Sequence, residues 1–121
     1  MTNRLRRVGC FREIGYDDQP DAPSLTELRG RRQAADKDRV VAYLRAGKVC
    51  VFSPGFAEDV FDGTDAGKMS LLTDGTYLWP GSLAHYVEKY DVELPEEFEA
   101  FMAARRWVVP GDIDLKAIVL P

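Results

Sequence analysis

The dipeptide Asp74-Gly75 constrains this chain more than any other feature of its sequence. It separates two short runs of strand-forming residues, Lys68 to Thr73 and Thr76 to Trp79. Asp-Gly in that setting is the strongest short-range hairpin signal, because both central residues of a type I′ turn need positive φ. Two strands cannot bury their own apolar side chains and need cover. The residues that follow supply it. Pro80-Gly81 ends the second strand, Ser82 stands where it can cap a helix, and Leu83, Tyr86, Val87 and Tyr90 repeat at i, i+3, i+4 and i+7. A further helix opens at Leu94-Pro95-Glu96-Glu97, with acids at its positive end, Arg105-Arg106 at its negative end, and Phe98, Phe101 and Met102 as its inner stripe.

Upstream, Val8 to Ile14 reads as a strand and the breaker-rich stretch Gly15 to Pro23 as a loop. Ser24-Leu25-Thr26-Glu27 has capping-box spacing and starts a short helix that ends near Gly30. From about Asp36, Val40, Val41, Tyr43 and Leu44 share one side of a helix, and Gly47 is placed to cap it in a left-handed conformation. Lys48 to Ser53, stopped by Pro54-Gly55, reads as a buried strand. Phe56 to Gly67 reads as a loop or a single helical turn, and Ile113 to Leu120 as one last strand. No repeat or linker divides the 121 residues, so residues 1–121 are expected to form one domain. The expected architecture is α+β: a small, mostly antiparallel sheet of roughly three to five strands packed by about three helices.

Several chemistries are excluded by what the chain lacks. Cys10, Cys50 and His85 are its only cysteines and histidine, too few for a four-ligand zinc site. Both cysteines lie in apolar runs and are expected to be free, buried thiols. The spacing Asp59-Val60-Phe61-Asp62-Gly63-Thr64-Asp65 lacks the register of a calcium loop, and no phosphate-cradling glycine motif is present. At ~100° per residue, His85 lies about 160° from the Leu83 direction, facing solvent or a partner and lacking a positioned nucleophile. No cofactor and no metal are expected, and no catalytic residue is assigned. A small hydrolase or transferase using His85 with a nearby acid is a third reading, which lacks a positioned nucleophile or phosphate loop. No apolar run has signal-peptide or bilayer-spanning length, so a cytoplasmic address without membrane contact is expected.

The net charge of -4 is a remainder of two unequal parts. Residues 1–48 hold eleven Lys/Arg against seven acids, and residues 49–121 hold five against thirteen. The acidic part should repel phosphates, so no nucleic-acid partner is expected. It carries Asp59, Asp62, Asp65 and Asp74 near Tyr77, Trp79 and His85. Tyr77 and Trp79 point to one face of their strand. They are either an inner, structural pair or an exposed aromatic patch beside carboxylates, the composition of a hot spot for a basic partner.

The stretches Leu71-Leu72-Thr73-Asp74-Gly75-Thr76-Tyr77-Leu78-Trp79-Pro80, Leu83-Ala84-His85-Tyr86-Val87-Glu88-Lys89-Tyr90 and Leu94-Pro95-Glu96-Glu97-Phe98 resemble a family of small actinobacterial proteins. In that family a T-D-G-x-x-x-W-P hairpin leads into L-x-Y-Y-V and L-P-x-E-F helices. Pro23-Ser24-Leu25 and Val41 to Gly47 are similar too, so the resemblance covers most of the chain. Many relatives carry tyrosine where His85 stands, which implies that the histidine is not a required catalytic group. Such proteins tend to be encoded near secreted polymorphic toxins. The resemblance therefore implies an immunity protein, and the uneven charge adds the expectation that it binds and neutralises a basic toxin domain through an acidic, aromatic-containing face. Asp59, Asp62, Asp65, Asp74, Tyr77, Trp79 and His85 are the candidate contact residues. The alternative is an interaction or regulatory module with an unrelated protein partner. The oligomeric state stays open.

Overall fold

A computed structural model describes residues 3–9, 11, 13, 23–32 and 36–119. Among the described residues, eight short strands, four α-helices and one 3-10 helix (Leu115–Ala117) follow one another. The strands and α-helices are β1 (Asn3–Arg4), β2 (Arg6–Arg7), α1 (Leu25–Leu28), α2 (Lys37–Arg45), β3 (Lys48–Val51), β4 (Phe56–Glu58), β5 (Asp65–Lys68), β6 (Leu71–Thr73), β7 (Tyr77–Pro80), α3 (Leu83–Tyr90), α4 (Glu96–Ala104) and β8 (Ile118–Val119). The central sheet has the order β2-β7-β6-β3. It is antiparallel except where β2 runs parallel to β7. β4 and β5 form a separate antiparallel ribbon, and β1 pairs parallel with β8. The architecture is a small α+β fold with a mostly antiparallel sheet, as expected.

The hairpin β6–β7 forms in the register Leu72↔Trp79 and Thr73↔Leu78. Its turn is not type I′: Gly75 has φ +95, whereas Asp74 has no positive φ. The Asp74 carboxylate shapes the turn instead, accepting the Thr76 and Tyr77 N–H groups at 2.9 and 2.7 Å and the Tyr43 hydroxyl at 2.6 Å. Trp79 is fully buried, its indole N–H donating to the Leu44 carbonyl at 3.0 Å. Tyr43, Tyr77, Trp79 and Phe98 make one ring cluster with centroids 4.6–6.4 Å apart. The structural alternative for Tyr77 and Trp79 is therefore the one realised.

Gly47 is not left-handed. It is required for close approach, because a Cβ there would lie 2.6 Å from Trp79 Cζ2 and 2.9 Å from Leu72 Cβ. The N-terminal strands fall before Val8, at Asn3–Arg4 and Arg6–Arg7, and Val8 and Phe11 join the core. β3 is an edge strand, with Val49 exposed and Cys50 a half-buried free thiol. Neither the fully buried strand nor the buried thiol was realised there, because β6 covers only one side of β3. Cys10 lies outside the described residues, as does most of the expected loop at 15–23. Ser82 takes helical dihedrals and caps nothing; its hydroxyl is buried without a hydrogen-bond partner.

The capping box at α1 is half realised. Ser24 Oγ accepts the Glu27 N–H at 3.4 Å, and a more distant acid, Glu13, serves the next donors of the helix start. Its carboxylate accepts the Leu25 and Thr26 N–H groups and the Ser24 and Thr26 hydroxyls, all within 2.9 Å. Burial alone would raise the Glu13 pKa, but those four donors outweigh it and hold the carboxyl at about 2. A depressed carboxylate adds stability above its unfolded pKa and loses it as pH falls through the folded one.

Two outcomes follow. Gly47→Ala should destabilise the fold by about 1–3 kcal/mol in chemical denaturation, since indole and backbone must separate. On acidification from about pH 5 to about pH 2, the wild type should lose stability that Glu13→Gln has already lost at neutral pH. Parallel urea titrations across that range check this, and equal pH slopes for the two proteins would remove the role of Glu13.

Candidate functional site

The segment between Phe56 and Gly67 is a ribbon and not a loop. β4 pairs with β5 in the register Phe56↔Lys68 and Glu58↔Asp65. β5 spends one residue more than β4 between these pairs, and Gly67 takes up the irregularity at φ +103. Side chains directly opposite share a face of a ribbon. Phe56, Glu58, Asp65 and Lys68 are all exposed and lie on one face. Phe56 is 67% exposed, and Phe52, across the Ser53-Pro54-Gly55 turn, is 76% exposed. Glu58 and Asp65 oppose each other as like charges, an arrangement that costs stability unless a cation sits between them.

Behind the ribbon, the 59–64 turn folds over α3 and is held by a carboxylate in its interior. The Asp59 side chain is 0% exposed. It accepts the Phe61 and Asp62 N–H groups at 2.8 and 3.3 Å, the Tyr90 hydroxyl at 2.8 Å, and a hydrogen bond from His85 Nε2 at 2.7 Å. Burial pushes the Asp59 carboxyl up, but these donors prevail and hold it below the ordinary carboxylate range. A carboxylate offers only acceptors, so Nε2 is the donor in this bond, and in the neutral form of the ring the lone pair sits on Nδ1. Nδ1 makes no hydrogen bond to a described residue. The turn is further tied down by the Tyr86 hydroxyl, which takes the Val60 N–H at 3.0 Å, and by an ion pair between Asp62 and Lys89. Arg29 lies over the Phe61 ring at 4.6 Å.

The seven candidate residues therefore separate into three groups. Asp74, Tyr77 and Trp79 are buried in the fold and unavailable to a partner. Asp59 is buried as the anchor of the turn, and His85 is turned onto it with only 20% of its side chain exposed. The solvent-facing orientation expected for His85 is corrected by the turn, which covers the outer side of α3. Asp62 and Asp65 remain exposed. Asp62 is committed to Lys89, while Asp65 gives one oxygen to the Gly67 N–H at 2.8 Å and keeps the other. Phe52, Phe56 and Glu58 were missed as site residues; the available signal was two phenylalanines flanking a Pro-Gly turn, where side chains sit at a tip.

His85, Asp65 and Arg45 line an open cleft of about 250 Å3, floored by Gly67 and Gly81 where β5 crosses the start of α3. Arg45 is clamped by Glu88 through two contacts of 3.2 Å. Among the described residues no group of three His, Cys, Asp or Glu side chains could hold a metal ion, and no helix is long and apolar enough to cross a membrane. The chain matches no protein-family model, no curated protein and no solved structure.

Replacing Asp59 by Ala strands four donors at once. Such a loss should cost about 2–4 kcal/mol, against about 1 kcal/mol for Tyr90→Phe. Equilibrium unfolding of the two variants is the check, and near-equal losses would show that the carboxylate does not organise the turn.

Proposed function

We propose that the protein is a protein-binding module of the immunity type, which neutralises a basic toxin domain by covering it with the outer face of the β4–β5 ribbon. The observation that carries this reading is the exposed cross-strand pair Glu58 and Asp65 beside Phe56 and Phe52. Opposed carboxylates are a stability defect in the free protein and become an asset against a cationic surface. Rigidly placed aromatic side chains are the usual anchors of such an interface. The acidic, aromatic face expected from the sequence is thereby relocated from the β6–β7 hairpin to the ribbon. The toxin-neutralising role comes from the family resemblance, and a cytoplasmic address is proposed with it.

The test is co-expression with the variable C-terminal domain of a secreted protein encoded beside this chain. The wild type should rescue growth and form a complex whose association slows as salt rises. The variant Phe56→Ser/Glu58→Gln/Asp65→Asn should bind about 10–100-fold more weakly and lose rescue. Full rescue by that triple variant, or a salt-independent association rate, would reject the ribbon as the docking face.

A further inference from the structure

We propose that the cleft between β5 and the start of α3 receives a guanidinium side chain from the partner; this rests on the basic-partner reading above and names the chemistry of its central contact. The cleft and the acidic pair share Asp65, so a cation drawn to the ribbon face arrives at the cleft mouth.

Charge selects the ligand. Arg45 lines the cleft, but the two-contact clamp by Glu88 offsets it. What remains is the carboxylate of Asp65 at the wall and that of Asp59 behind His85. The surroundings are therefore net negative, and an anion is disfavoured.

The acceptors narrow the choice further. Asp65 keeps one carboxylate oxygen uncommitted, and His85, its Nε2 proton given to Asp59, keeps Nδ1 as a lone-pair acceptor. Gly67 and Gly81 leave the floor without side chains, and a Cβ on Gly81 would lie 2.6 Å from the Lys68 carbonyl oxygen. A volume of about 250 Å3 holds a guanidinium with its last methylenes, a water occupying ~30 Å3 of liquid. A guanidinium spreads its donors over a plane, is weakly hydrated and tolerates a neighbouring guanidinium. An ammonium is compact and strongly hydrated, and it suits a wall shared with Arg45 less well.

The same geometry makes the site sensitive to acid. Protonation of His85 turns its acceptor into a donor and adds a positive charge facing the ligand. The charged or titratable groups around the ring are Asp59 of the turn, Asp65 of β5, Arg45 of α2, and Tyr86, Glu88, Lys89 and Tyr90 of its own helix.

The experiment is amide-resolved NMR titration of the full chain with L-argininamide, and in parallel with L-lysinamide. Argininamide should shift the Gly67, Gly81 and His85 amides saturably at about pH 8, and bind several-fold tighter than lysinamide. Asp65→Asn keeps an oxygen for the Gly67 N–H and should weaken binding by about tenfold. Lowering the pH to about 5 should weaken it in the wild type but not in His85→Asn. No saturable shift, or equal binding by Asp65→Asn with its spectrum otherwise intact, overturns the proposal. If the triple ribbon variant loses the toxin domain while argininamide fails to bind the wild type, the cleft inference falls and the ribbon reading stands. If argininamide binds but the toxin domain does not, the ribbon reading falls alone.

Discussion

The burial of Trp79 is the contact on which the rest of the molecule depends. Its ring lies 6.1 Å from Tyr43 and 5.7 Å from Phe98, so one side chain of β7 joins α2 and α4. Its indole N–H would be costly to bury unpaired, and the Leu44 carbonyl near the end of α2 receives it. The chain turns from α2 into β3 directly against the indole, which is why position 47 has room for no Cβ. Tyr77 on the same face packs on Phe98 at 4.6 Å, while Leu78 on the opposite face is buried as well. β7 is thus covered on both sides, and its side chains are committed to the fold.

The carboxylates complete that arrangement from inside. A buried charge is expensive unless hydrogen-bonded in full. Asp74 meets the requirement with two turn amides and the Tyr43 hydroxyl, and Asp59 meets it with two amides, a phenol and an imidazole. Each acid closes a local turn and also reaches a helix far away in sequence, so one ionised group performs a local and a tertiary task. The Tyr43 phenol is correspondingly pushed far above its ordinary pKa, by burial first and by the Asp74 carboxylate next. Two of the thirteen acids in residues 49–121 therefore contribute to internal architecture and not to a docking surface.

What was legible in the sequence had its cause close by in the chain. The hairpin around Asp74-Gly75, the apolar stripes of α2, α3 and α4 and the Ser24 cap all depend on neighbours within one or two turns, where periodicity and side-chain chemistry speak directly. The misreadings have their cause elsewhere. Glu13 caps α1 from eleven to thirteen residues upstream, a reach that no local motif encodes. β3 reads as buried because its residues are apolar, but its exposure is decided by strand order, which places it at the edge. His85 points away from the Leu83 face as its helical position requires, yet the 59–64 turn covers that side. β4 and β5 were hidden because glycine and acids are poor strand formers, and their pairing is set by the turn that Asp59 anchors.

The same ribbon carries an unfavourable contact at its surface. A ribbon selected only for stability would place opposite charges, or a charge and a neutral residue, at the Glu58–Asp65 pair, where cross-strand attraction is worth ~0.2–1 kcal/mol. The neighbouring pair, Phe56 and Lys68, carries no such conflict. Interactions behind the pair hold the ribbon: Asp59 fixes the turn between the strands, the Tyr86 hydroxyl accepts the Val60 N–H and donates to the Glu58 carbonyl, and Lys89 pairs with Asp62. The strand ends are thus tied to α3 by part-buried hydrogen bonds and an exposed ion pair. The ribbon thus keeps a like-charge pair on an exposed face beside two exposed phenylalanines, a local cost that the rest of the fold absorbs.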